Sequence, residues 1–287
     1  MMKAGARIAL VTVAIALASL ASFHPARAED APRRVVSINV CTDQMAMLIA
    51  DPEQLHSVSF LAADDGSSVM TAQARNHVLN HAQAEEISLM QPDLVLGGTF
   101  TSPATVQMLR RLGFRVELFA PEADFDDIRV NLRRIGDLLG HRDRAEALVA
   151  KMDAALDEAS AGGAQGVSVA MYSSNNYTSG KGSLSDAVIK AAGMSNIADR
   201  LGIVGIGQVP LETLVLAQPD LVVVGEQRFE APALAQQNFV HPAFAAIAPP
   251  DRLVEIPGRY WVCGAPFTVD AVRMLRQAAA RYKEMHP

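Results

Sequence analysis

The chain has 287 residues, 50% of them hydrophobic and 20% charged, a net charge of −6 and two cysteines. An acidic balance with no basic run excludes a nucleic-acid partner held through its phosphates. The length allows two domains of ordinary size, each able to bury a core without metals. Cys41 and Cys263, near opposite ends, do not make a disulfide framework.

At the N-terminus Lys3 and Arg7 precede the apolar run Ile8 to Ala18, and Ala26-Arg27-Ala28 offers small residues where a signal peptidase reads. Residues 1–28 are therefore expected to be a signal peptide cleaved after Ala28, because the run is short for a membrane anchor. The mature protein is expected to be soluble outside the cytoplasm and without a lipid anchor, since no Cys follows the apolar run.

An N-terminal α/β lobe is expected over 29–140. Arg34 to Ile38 reads as its opening strand, with Thr42 or Asp43 capping a helix over Gln44 to Ile49. Asn39 to Thr42 then form a loop at a strand's carboxyl end, where open α/β sheets bind ligands. Leu55 to Phe60 is a second strand, and Gln73 to Gln83 is ambiguous apart from a turn at Asn80-His81. Gly97 to Thr101 is an exit loop, Ser102-Pro103 starts a helix that Gly113 ends, and Arg115 to Phe119 is the next strand. Strand and helix alternate, so a parallel sheet covered by helices is expected.

From Asp126 to Leu139 apolar residues recur at helical spacing, and a second helix runs from Arg142 to Ala159. The connection, 141–165, is thus one long helix and a Gly-containing break. Such a linker resists bending, and the lobes are expected to move only modestly. The C-terminal α/β lobe, 166–287, repeats the plan. It has strands at Val167 to Tyr172 and Arg252 to Ile256 and a helix started by Ser183 or Ser185 and closed by Gly193. An irregular or helical excursion over Glu226 to Gln237, a short helix at His241 to Ile247 and a final helix over Phe267 to Lys283 complete it.

One segment occurs twice. Glu85 opens a short apolar helix that leads to Gln91-Pro92-Asp93-Leu94-Val95, and Glu212 opens another that leads to Gln218-Pro219-Asp220-Leu221-Val222, 127 residues later. Proline stops each helix, and the aliphatic run after Asp reads as a strand buried on both faces. The spacing is too long for a solenoid and fits one copy per lobe.

The Arg34 to Ile38 strand, the two Glu…Pro-Asp-Leu-Val units, the joining helix, and Gly182 to Asp186 through Ala192 to Ile197 form an ordered set. The chain resembles, over essentially its whole mature length, the helical-backbone periplasmic solute-binding proteins of ABC importers. Members of that group receive ferric siderophores, haem or vitamin B12. The resemblance implies two Rossmann-like lobes with parallel sheets joined by one long helix, a ligand cleft between them, and no enzymatic activity or resident cofactor. It also implies that Glu85 and Glu212 dock onto arginines of the transmembrane permease dimer. The same glutamates are also favourable charges in the first turn of a helix.

Ligand contacts are expected from Asn39, Cys41, Thr42, Phe60, Thr99 and Phe100 of the first lobe. From the second they are expected from Tyr172, Asn175, Tyr177, Glu226, Arg228, Arg259, Tyr260 and Trp261. Rings stack on flat faces and Arg pairs with carboxylates, which suits a large, partly flat, polar-edged ligand; the resemblance implies a metal chelate, a ferric siderophore first and a corrinoid or haem next. The alternative is a receptor for a free transition-metal ion held by His and Cys. Each cysteine is more simply a small buried core residue; a metal thiolate or a disulfide across the cleft stays open. His77 and His81 have helical metal-pair spacing inside what reads as a solvated loop. Ser179 to Ser183 lacks the spacing of a phosphate loop, and no nucleophile elbow or other catalytic signature occurs.

Overall fold

Val35 and Val36 point to opposite faces of the first strand, and both are buried, so this sheet needs helices on each side. In the computed structural model, which describes residues 31–162, 164–225 and 233–287, that demand is met by a nine-element unit. Its order is β1 (Val35–Ser37), α1 (Val40–Ile49), β2 (Leu55–Ser59), α2 (Thr71–Ala74), β3 (Val78–Asn80), α3 (Ala84–Leu89), β4 (Leu94–Gly98), α4 (Pro103–Arg111) and β5 (Val116–Phe119). The strands pair in the order β3-β2-β1-β4-β5, all parallel. Val35, Leu94 and Leu96 pack with Met45 and Ile49 of α1 on one face. Val36 and Val95 pack with Ile87 of α3 and Leu109 of α4 on the other.

Two helices, α5 (Phe125–Leu139) and α6 (Arg142–Ser160), then carry the chain to the second sheet. The second half contains β6 (Ser168–Met171), β7 (Tyr177–Ser179), α7 (Leu184–Ala191), β8 (Ser195–Asn196), α8 (Ile197–Arg200), β9 (Ile206–Gln208), α9 (Leu211–Ala217), β10 (Leu221–Val224), α10 (Pro242–Ile247), β11 (Leu253–Glu255) and α11 (Thr268–Met285). Its parallel sheet has the order β11-β10-β6-β8, and β7 and β9 form a separate antiparallel ribbon. Val169, Met171, Leu221 and Val223 join the same core cluster as Ile128 of α5, Met152 of α6 and Leu275 of α11. Ala170, Val222 and Val224 face Leu214 and Phe244 instead. One apolar core thus runs from the first sheet through α5, α6 and α11 to the second.

The duplicated segment has the same construction in both halves. The Gln before Pro adopts a left-handed backbone in each, φ 49° at Gln91 and 45° at Gln218. Proline bars the helical conformation at the preceding residue, so the chain turns there. The following Asp then ties the segment to the first strand of its own sheet. Asp93 accepts from the Arg33 and Arg34 amides at 2.7 and 3.0 Å, and its own amide donates to Arg34 O at 3.1 Å. Asp220 accepts from the Ser168 amide and hydroxyl, each at 2.7 Å, and its amide donates to Ser168 O at 3.1 Å. The carboxylate satisfies N–H groups at the strand start that lack a ladder partner.

Several expectations are corrected. The ambiguous stretch Gln73 to Gln83 holds the end of α2 and the whole of β3, and Asn80 ends β3 rather than opening a turn. Its side chain donates to Ser37 O and Ser57 Oγ, both at 2.8 Å, which draws it into the sheet. β4 continues through Gly97 and Gly98, both buried, instead of stopping at the first glycine. The first helix starts at Val40: Asn39, not Thr42 or Asp43, is the cap, its side chain accepting from Cys41 N at 3.0 Å. The loop after β6 contains β7, which pairs with the later β9 in an antiparallel ribbon, and β8 is an additional two-residue strand. Residues 226–232 of the excursion lie outside the described residues, while Leu234–Val240 forms a 3-10 turn.

Candidate functional site

At the switch point of the first sheet the connections leave β1 and β4 in opposite directions, and a crevice opens at their carboxyl ends. The pocket there has a cavity volume of about 40 Å³. Asn39, Cys41 and Thr42 line it from the start of α1, Met45 from one turn on, and Gly98, Thr99 and Phe100 from the end of β4. Phe119 to Glu122 line it from the end of β5. The strand ends approach closely: a Cβ on Gly98 would stand 2.9 Å from Asn39 Nδ2, so the cap and the glycine require each other.

The polar groups around this pocket are mostly committed to the scaffold. Thr42 is buried and its hydroxyl contacts Ser37 Oγ at 2.8 Å and donates to Asn39 O at 3.0 Å. Thr99 donates its amide to Phe119 O at 2.9 Å, and Phe100, 86% exposed, presents its ring at the rim. Asp43, fully buried behind the pocket wall, accepts from the Ser59 amide at 3.1 Å and from the Ser59 hydroxyl. Burial pushes its carboxyl up to about 6, with the hydrogen bonds from Ser37 and Ser59 opposing. Glu122 is also raised by burial, against hydrogen bonds from Asn131 at 2.7 Å and Gly264 N at 3.1 Å.

The second half meets this edge through the loop before α11. Cys263 forms a disulfide with Cys41, with Cα atoms 5.0 Å apart. Gly264 lies against Glu122 so closely that an added Cβ would stand 2.5 Å from Glu122 Cβ. Arg259 donates to Asp65 O at 3.1 Å and lies 5.4 Å from the centre of the Tyr260 ring. Tyr260 and Trp261 are half-buried and pack partly on the main core. Of the readings left open for the two cysteines, the disulfide across the cleft is the one the structure holds. The pairing was hidden because nothing in a 222-residue separation says that two loops from different lobes will meet.

The other expected contacts scatter. Phe60 is exposed and stacks on His81, ring centres 5.2 Å apart, at the ends of β2 and β3. Asn175, in a left-handed turn, and Tyr177, on β7, are exposed beside the second sheet. Tyr172 is a correction: it is fully buried between Phe244 and Phe239 and donates to Asn176 Oδ1 at 2.8 Å, so it belongs to the core. Burial, with the Glu212 charge, pushes its hydroxyl up to about 12. Glu226 and Arg228 lie outside the described residues. Sequence reasoning missed the β5 end, Phe119 to Glu122, although a strand terminus at a switch point was the signal that could have found it.

Glu85 and Glu212 are both exposed, and neither side chain makes a hydrogen bond or ion pair among the described residues. The neighbouring Glu86 is used locally, accepting from His81 N at 2.8 Å.

A family model described as periplasmic binding protein matches residues 35–248. Cobalamin-binding proteins from two strains of Halobacterium salinarum are 29% identical over 222 residues, 72% of this chain. The chain spans about 58% of the length of these curated relatives. Among solved structures, the periplasmic heme-binding protein RhuT from Roseiflexus sp. RS-1 superposes with a TM-score of 0.71 at 22% identity, covering 87% of this chain and 98% of that one. The periplasmic vitamin B12 binding protein BtuF of Vibrio cholerae gives 0.67 at 18% identity, covering 88% and 98%. These likenesses carry the fold, two α/β lobes with parallel sheets.

Proposed function

The chain belongs to the periplasmic binding protein family, a family of solute-binding proteins rather than enzymes, and from that premise we propose that it captures a metal tetrapyrrole, corrinoid or haem, for an ABC importer. The observation that carries this reading is the pairing at the cleft edge. A crevice at the β1/β4 switch point is rimmed by the exposed Phe100 ring, and the loop bearing Tyr260 and Trp261 is held beside it by the Cys41–Cys263 bond. Ring faces suit a broad, flat macrocycle. The cobalamin- and heme-binding relatives favour the same class over the ferric siderophore that sequence reasoning ranks first. Residues 1–28 would direct export, and Glu85 and Glu212 would meet the permease. The mature halves are assigned to 29–140 and 166–287 with 141–165 between them.

The free-ion alternative has little to build on. Both cysteines are used in the disulfide, and among the described residues no three His, Cys, Asp or Glu side chains are gathered to hold an ion.

The test is calorimetric titration of the purified mature protein with hydroxocobalamin, haemin, a ferric hydroxamate, a ferric catecholate, Zn²⁺ and Mn²⁺, with the fluorescence of Trp261, the only tryptophan, followed in parallel. Saturable binding of haemin or cobalamin with a Trp261 change is expected. Binding confined to a ferric siderophore or a bare ion would overturn the ligand class.

A further inference from the structure

We infer that Leu89 and Leu216 are paired apolar contacts for the same partner that Glu85 and Glu212 engage, so that each lobe offers one carboxylate and one leucine to a two-fold symmetric membrane protein. The inference rests on the permease reading above and specifies its chemistry.

Leu89 and Leu216 are 85% and 84% exposed, among the most exposed large apolar side chains of the described residues. They occupy the same position in the two copies of the duplicated segment, four residues after Glu85 and Glu212. A spacing of four places each leucine one turn along the same helix face as its glutamate. The opposite face is taken by Ile87 in α3 and Leu214 in α9, both buried. Neither leucine is needed for packing, and neither glutamate has a partner among the described residues. A single exposed leucine needs no explanation, but two at matched positions beside two matched free carboxylates do.

The occupant follows from charge and duplication. Paired carboxylates call for cations, which argues against a second copy of this chain, whose net charge is −6 and whose equivalent face is also acidic. Two like sites on one chain are matched by a partner that repeats its own surface, as two identical permease subunits do. Each subunit would supply an Arg or Lys for the glutamate and an apolar recess for the leucine.

Binding of the full mature protein to the purified permease pair in lipid nanodiscs would be measured by surface plasmon resonance. The variants are Leu89→Ser/Leu216→Ser, Leu89→Met/Leu216→Met and Glu85→Ala/Glu212→Ala, each checked for haemin or cobalamin binding and for its melting curve. The serine pair is expected to weaken binding roughly tenfold per site, with the methionine pair close to wild type. The leucine effect should persist in 1 M NaCl, whereas the glutamate effect should shrink. If the glutamate variant binds the permease like wild type, the docking reading and this inference both fail. If it loses binding while the serine pair does not, docking stands and the leucine inference falls. Self-association that the serine pair abolishes, with permease binding unchanged, would assign the surface to a second copy and overturn it.

Discussion

Cys41, in the first turn of α1, and Cys263, in the loop before α11, are 222 residues apart in the chain and joined by a disulfide. The bond fastens the second half to the rim of the pocket on the first, beside the Glu122–Gly264 hydrogen bond. Closing so long a loop removes entropy from the unfolded chain worth about 5 kcal/mol in the chain-entropy treatment. The Cys41→Ser/Cys263→Ser variant should therefore lose several kcal/mol, about 3–5, in urea unfolding. Dithiothreitol should reproduce that loss in the wild type and leave the variant unchanged.

Asp43 should give the protein a pH-dependent stability. Its folded carboxyl is raised from 3.8 to about 6, first by burial, so the folded state holds a proton that the unfolded chain has released. The stabilisation is therefore full below pH 3.8 and is lost as pH rises through about 6. Above that a charge sits buried at a cost on the order of 3 kcal/mol. Asp43→Asn should flatten this dependence, with its stability relative to wild type improving by about that amount between pH 4 and pH 8. Parallel urea titrations at the two pH values measure it.

The duplicated Asp should matter more in the second copy. Asp93 is exposed and holds two backbone amides. Asp220 is half-buried and holds the Ser168 amide, the Ser168 hydroxyl and the Tyr282 hydroxyl, the last at 2.9 Å. Burial raises the Asp220 carboxyl, but these hydrogen bonds outweigh it and hold it below its ordinary value. Asp220→Ala is expected to cost about 2–3 kcal/mol and Asp93→Ala about 1 kcal/mol. Thermal unfolding of the two single variants, compared at one pH, tests the order.

Gly264→Ala should strain the contact between the halves. The added methyl would meet Glu122 Cβ at 2.5 Å and Ile128 Cγ1 at 2.7 Å, neither the free end of a flexible chain. A loss of about 1–3 kcal/mol is expected, the usual cost of overpacking. Calorimetric melting of the variant would show it, and an unchanged melting temperature would mean that the loop and α5 separate easily.

Much of this fold is legible in the residues themselves. The aliphatic runs after Pro92 and Pro219 can be buried on two faces only in a helix-covered parallel sheet, and the spacing of α5 and α6 leaves them no other form. The repeat marks its own importance because Pro and Asp act through local backbone geometry.

Tertiary structure decided what local chemistry leaves open. β3 and β8 have three and two residues, too few to declare themselves, and exist because β2 and β6 offer them hydrogen-bond partners. Tyr172 looked available at a strand end, yet Phe239 and Phe244, far along the chain, close over it. Cys41 and Cys263 meet only because one core draws both halves around α5, α6 and α11. Local sequence determined the long helices and the strands buried on both faces; the short strands, and which side chains face one another across the cleft, depended on the packing of distant elements, and on no single stretch of residues.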